Sequence, residues 1–252
     1  MLLSTFRKSM ISEPAVIIDD LTKKFGDFTA VDNISFTVKR GEIFGFLGAN
    51  GAGKSTTIRM LCGILKPTAG KGIVGGVDIS ETPEKVKTFI GYVSQKFSLY
   101  DDLTVKENLE FFAGIYGVEN RKAVVRKAME SAGLTGQGNT ITGSLPVGWK
   151  QKLSLASAVM HNPEILFLDE PTSGVDPITR RRFWETIRTS AEKGTTVFVT
   201  THYMMEAEYC DRLAIMRSGR VIALGSPGEL KQRQKRSSLE DVFISLARGA
   251  DQ

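Results

Sequence analysis

Residues Gly48 to Thr56 read Gly-Ala-Asn-Gly-Ala-Gly-Lys-Ser-Thr and follow directly on an apolar run, Ile43 to Leu47. No other stretch of the chain restricts its fold as much. Gly48, Gly51 and Gly53 let the backbone turn its amides inward with no Cβ in the way. Those amides, with the positive end of a helix starting near Lys54, form a concave site for the phosphates of a nucleoside triphosphate. Asn50, Ala52 and Thr56 complete the loop that would wrap them. Lys54 is placed to reach the β and γ phosphates, and the Ser55 hydroxyl to hold a bridging Mg²⁺.

The 252 residues suffice for one domain, or one domain with a sizeable insertion, around a real core. Composition is ordinary for a globular chain, 41% hydrophobic and 24% charged. No apolar segment approaches the roughly 18–20 residues needed to cross a bilayer. Met1 to Ser12 turns polar after Leu3 and does not read as a signal peptide. Cys62 and Cys210 fall inside expected packed elements, with neither disulfide nor metal spacing. Net charge is +5, and the one concentrated basic run is Lys231 to Arg236. A solvated helix face or contact with anionic lipid or nucleic acid would each suit it.

Periodicity gives short β segments at Val16 to Leu21 and Ala30 to Val38 around a turn at Gly26-Asp27. A helix from Lys54 to about Leu65 precedes Pro67 and Gly70. Gly72 to Ile79 reads as a hairpin and Ile90 to Val93 as a buried strand. From Asp101 the pattern becomes helical: Thr104 and Glu107 make a capping box, and Leu103, Leu109, Phe112 and Ile115 an apolar stripe. Further helices are expected at 121–133 and 149–161. After Pro163 strands at 165–169, 196–200, 212–216 and 220–224 alternate with helices at 177–192 and 203–209. That order predicts an α/β fold, a mostly parallel sheet covered by helices and interrupted at about 98–161 by a helical subdomain.

Ile165 to Leu168 is an apolar run ending in Asp169 and Glu170. A buried strand brings such a pair to the carboxyl edge of the sheet, where ligands bind in these folds. Asp169 is placed to bind Mg²⁺, and Glu170 to orient and deprotonate an attacking water. Glu170-Pro171-Thr172-Ser173-Gly174-Val175-Asp176 and Val199-Thr200-Thr201-His202 resemble the D-loop and switch-histidine segments of ABC-type ATPases. Gln95 and Phe25 stand where that family has its Q-loop glutamine and its adenine-stacking aromatic. The resemblance runs in unbroken order from about Val16 to Leu230. Ser237 to Phe243 further resembles the tail of drug-export-type ATPase subunits.

The resemblance implies a P-loop NTPase (RecA-like) core with an antiparallel β subdomain and the inserted helical subdomain. The ATP-binding domain would occupy 14–236 and a C-terminal tail 237–252. It implies ATP and Mg²⁺, with Ser55, Gln95 and Asp169 around the metal, and catalysis by Glu170, His202 and Lys54. His202 would contact the γ-phosphate, while Ser173 and Asp176 would face a second nucleotide-binding domain. A membrane-spanning subunit would dock near Gln95, placing the chain at the cytoplasmic face of the membrane, with no nucleic acid expected. Phe97, Leu99 and Tyr100 suit either that docking groove or the core of the helical subdomain.

One segment departs from the family. Where its signature loop reads Leu-Ser-Gly-Gly-Gln, this chain has Leu145-Pro146-Val147-Gly148-Trp149. Pro146 lacks the serine hydroxyl and the backbone N–H, though proline suits a helix entry. Lys150 is a candidate to compensate electrostatically. Either the variant loop supports a competent homodimer, or it serves a weak site opposite another subunit. The expected function is an exporter's ATP-hydrolysing subunit. The alternatives are a soluble ABC-type ATPase acting on nucleic acid or ribosomes, and a non-hydrolysing switch.

Overall fold

A computed structural model describes residues 14–96 and 98–249. Strands β1 (Val16–Phe25) and β2 (Phe28–Val38) form the first hairpin, and β3 (Ile43–Gly48) runs into helix α1 (Lys54–Leu61). There follow β4 (Ala69–Val74), β5 (Val77–Asp78), the short α2 (Pro83–Lys87) and β6 (Ile90–Val93). Helices α3 (Val105–Ile115), α4 (Arg121–Ser131) and α5 (Val147–Val159) come next. The chain returns through β7 (Ile165–Asp169), α6 (Pro177–Glu192), β8 (Thr196–Thr201), α7 (Met204–Ala207), β9 (Arg212–Arg217) and β10 (Arg220–Gly225). It closes with α8 (Pro227–Gln234) and α9 (Leu239–Gly249).

The strands make two sheets. The larger has the order β10-β9-β3-β8-β7-β6, parallel except for β10, and the smaller is antiparallel, β2-β1-β4-β5. Every residue of β3, β7 and β8 is buried, which is why Ile43 to Leu47, Ile165 to Leu168 and Val197 to Val199 read as apolar runs without alternation. The sheets face each other across a core of aromatic rings. Phe36 of β2 stacks on Phe44 of β3 at 5.2 Å, and Phe198 of β8 lies 5.3 Å from Phe44 and 5.5 Å from Phe46. On the opposite face Phe183, Trp184 and Ile187 of α6 pack with Leu155 and Ala158 of α5 against Leu166, Leu168, Val197 and Val199.

Helices α3, α4 and α5 enclose a separate cluster around Leu109, Leu134 and Leu153. The expected capping box is present, with Thr104 and Glu107 satisfying each other's backbone donors. The apolar stripe is displaced: Val105, Leu109 and Ala113 are buried, while Ile115 is 61% exposed. Leu103 precedes the helix, and steps of three from Leu109 through Phe112 to Ile115 fall short of the 3.6-residue turn and drift off the buried face. Helix α1 ends at Leu61 rather than near Leu65. Gly63 (φ 67°) donates to Met60 O, and Ile64 to Arg59 O, a paired closure that only a left-handed residue at position 63 permits. Cys62 and Cys210 are buried thiols. Helix α7 is shorter than the expected 203–209. Helix α9, within the expected tail, buries Leu239 and Val242 against Leu47, Leu213, Ile215 and Leu230. The expectations for Met1 to Ser12 and for Phe97 concern residues outside the described ones. Among the described residues no helix is long and apolar enough to cross a membrane.

Candidate active site

The phosphate loop is the connection from β3 to α1. Gly53 caps α1 in the left-handed region (φ 106°) and offers no side-chain cap. A Cβ there would meet Ala30 O at 2.4 Å, so the position excludes other residues on both counts. The amides of the first turn are left for a ligand. Gly219, in the β9–β10 turn, donates to Ala52 O at 3.0 Å and fixes the back of the loop. Lys54 is 4% exposed. Its ammonium group donates to Gly48 O at 2.8 Å and Ala49 O at 3.1 Å, and pairs with Glu170 Oε1 at 3.0 Å.

β7 ends beside it. Ser55 Oγ donates to Asp169 Oδ1 at 2.9 Å, and Thr200 Oγ1 donates to the same oxygen at 2.8 Å. Burial holds the Asp169 carboxyl above the usual carboxylate range, with the Thr200 and Ser55 hydroxyls pulling partly the other way. Asp169 Oδ2 is buried without a hydrogen-bond partner. A buried, unmatched carboxylate oxygen next to a serine hydroxyl is the hard oxygen donor set that Mg²⁺ takes, so these residues fit that ion. The same field acts on Tyr92, whose hydroxyl is pushed up to about 12, first by burial and then by Asp169.

Glu170 is 7% exposed and takes a left-handed backbone (φ 48°). Its amide donates to Thr200 Oγ1 at 2.9 Å. Its Oε2 receives Gln95 Nε2 at 3.3 Å and lies 3.0 Å from His202 Nδ1. Four residues expected from sequence, Lys54, Gln95, Glu170 and His202, are thus in direct contact. Phe25 and Gln95 lie on the rim of a cleft of about 450 Å³, shared with Asn50, Gly51, Gly53, Lys54, Ser55, Thr56 and Glu170. Two further lining residues went unnoticed in the sequence, Phe28 and Ala30. Phe28 is the cross-strand partner of Phe25. The signal was there, two aromatics astride a two-residue turn. Thr200 was also missed, because a threonine in a buried strand reads as β propensity.

The remaining expected residues lie elsewhere. Pro146 is the N-cap of α5 and provides no side-chain bond to it. Leu145 is buried, Val147 is 47% exposed, and Lys152 Nζ lies 4.4 Å over the Trp149 ring. Lys150 pairs with Asp101 at 3.0 Å, so its charge is held there and not at the Gly148 amide. Asp176 Oδ1 caps α6 by accepting from Ile178 and Thr179 at 3.0 Å, and those amides pull its carboxyl below its ordinary range. Ser173 is exposed on the same loop. Leu99 packs partly into the helical cluster, and the exposed Tyr100 meets Phe111 edge-on at 4.6 Å.

A phosphate loop opening a helix, with an acid pair and a histidine at the strand ends alongside, defines a nucleotide-binding P-loop protein. The profile of the ABC transporter family matches residues 31–173. The chain belongs to that family, as an ATP-binding domain with the P-loop NTPase fold. It is 52% identical over 241 residues to the probable multidrug ABC transporter ATP-binding protein YbhF of Escherichia coli (strain K12). That match covers 93% of this chain but 42% of the relative, so the chain spans less than half of the relative's length. A solved ATP-binding subunit of an ABC transporter superposes with a TM-score of 0.85 at 27% identity, covering 92% of this chain and 99% of that one. An ATP-binding cassette solved as a dimer in a post-hydrolysis state with ADP and Pi gives 0.77 at 26% identity, covering 84% and 98%.

Proposed function

We propose that this chain hydrolyses ATP as the energy-supplying subunit of an exporter. The observation that supports this above all is the Glu170 carboxylate, held between Lys54, His202 and Gln95 beside the unmatched oxygen of Asp169. A carboxylate fixed at that point takes the proton of a water attacking the γ-phosphate. Lys54 exchanges its two carbonyl partners for phosphate oxygens, and His202 holds the γ-phosphate in line. Phe25 stacks on the base. Asp169 and Ser55, with Gln95 nearby, would hold Mg²⁺, which when bound offsets charge on the β and γ phosphate oxygens. Catalysis is positioning and charge stabilisation, with no covalent intermediate on the protein.

The ATP-binding domain is residues 14–236, and within the tail 237–252 helix α9 packs back on it. A second nucleotide-binding domain completes the site by presenting the start of its own α5 to the γ-phosphate, and Ser173 and Asp176 face that partner. A membrane-spanning subunit docks at the helical subdomain and places the chain at the cytoplasmic face of the membrane. The name of the E. coli relative, a probable multidrug ABC transporter ATP-binding protein, supports transport over work on nucleic acid.

Steady-state ATP hydrolysis as a function of chain concentration tests this, with Lys54→Ala as blank. Specific activity rising with concentration is expected of a homodimer working with Pro146 in its loop. Activity at the blank's level throughout, even with a partner subunit added, would overturn the hydrolytic reading. Glu170→Gln is expected to keep ATP binding, lower turnover by roughly 10²–10⁴ and accumulate ATP-bound dimers in gel filtration. Wild-type turnover in that variant removes Glu170 from the mechanism.

A further inference from the structure

Behind the proposed catalytic acid lies a second buried carboxylate that none of these steps uses. Glu206, in α7, is 2% exposed. One of its oxygens accepts from Thr172 Oγ1, and the other from Thr201 Oγ1 at 2.6 Å. Arg180, in the first turn of α6, brings Nε to 3.5 Å from Glu206 Oε1, an ion pair without hydrogen-bond alignment. Arg180 also donates to Val175 O at 3.4 Å, and its guanidinium lies 4.3 Å over the Tyr203 ring. Tyr203 in turn packs against the His202 imidazole at 4.1 Å, and its amide donates to Thr201 Oγ1 at 2.9 Å.

Four segments meet at this one side chain: the loop after Glu170, the start of α6, the end of β8 and α7. An apolar residue of the same size would fill the space. Only a carboxylate, with one oxygen for Thr172, the other for Thr201 and charge for the arginine, binds them together. We propose that Glu206, assisted by Arg180, is a positioning residue for hydrolysis, tying the loop 172–175 to the strand end that carries His202. Displacement of the loop by a partner domain then reorients the imidazole. The proposal rests on the catalytic reading of His202 given above.

The test combines turnover with the ring proton resonances of His202, readily assigned because the chain has two histidines. Glu206→Gln is expected to lower kcat about tenfold with KM for ATP within about twofold, and to cost less than about twofold more in a His202→Ala background. Thr172→Val is expected to move the His202 ring signals, and to move them no further once Glu206→Gln is present. Wild-type kcat in Glu206→Gln, losses that multiply with His202→Ala, or ring signals indifferent to Thr172→Val would each overturn the proposal. Full turnover in His202→Ala, with signals still moved by Thr172→Val, instead sinks the role of His202 on which it rests. Should Glu206→Gln reduce the folded fraction, Arg180→Lys takes its place in the kinetic arm, since it keeps the charge and loses the flat face over Tyr203.

Discussion

Thr200 serves both acids, accepting from the Glu170 amide and donating to Asp169. Thr200→Val leaves that amide buried and unpaired, a cost of about 1–3 kcal/mol. Thermal melting is expected to show this loss, and turnover to fall with it because Asp169 loses one of its two hydroxyl donors and the Glu170 backbone its anchor. Phe28 offers a second ring on the rim where Phe25 stands. Phe28→Ala is expected to weaken nucleotide binding by about 2–10-fold, from the roughly 0.5–1.5 kcal/mol of an aromatic contact, measured by calorimetric titration of ATP. These two residues show where sequence reading stopped at this scale. Lys54, Glu170 and His202 are legible because their chemistry is bound to a fixed order of neighbours. Thr200 and Phe28 depend on what lies across a strand or a turn, and that pairing is not written locally.

Elements are most legible where their ends are encoded in contiguous residues. The Thr104 and Glu107 box sets the start of α3, and Asp176-Pro177 sets that of α6. Pro67 and Gly70 mark a stop for α1 in the sequence, but Gly63 closes the helix a turn earlier. Short α2 and the 3₁₀ turns at Thr135–Gln137 and Thr142–Ser144 bury too little to leave a period in the sequence. The start of α5 is the element with most to gain. Pro146→Ser would add a capping hydroxyl, expected to raise stability by about 0.5–2 kcal/mol. The same hydroxyl would serve the facing phosphate, so turnover at a given chain concentration is expected to rise as well. A melting curve and an activity series on one preparation check both effects.

At the scale of the molecule, the alternation of strands and helices announces a parallel sheet, but the order in which strands lie side by side is set by packing alone. Nucleotide binding should be visible in global stability. ATP at about one hundred times its dissociation constant stabilises a folded binder by roughly 2.7 kcal/mol. The melting temperature is expected to rise with ATP, less so after chelation of Mg²⁺, and not at all in Lys54→Ala. The position of β3, between β8 and β9, has a consequence for the birth of the protein. The strand that carries the phosphate loop is made early, yet its two neighbours end at Thr201 and Arg217. At ribosomal speeds of about 5–20 residues per second, that strand waits roughly ten to thirty seconds for the flanks that hold it. A nascent chain halted before β9 therefore carries the whole glycine-rich loop and still cannot grip a nucleotide, and its unpaired apolar strand is a natural client for chaperones.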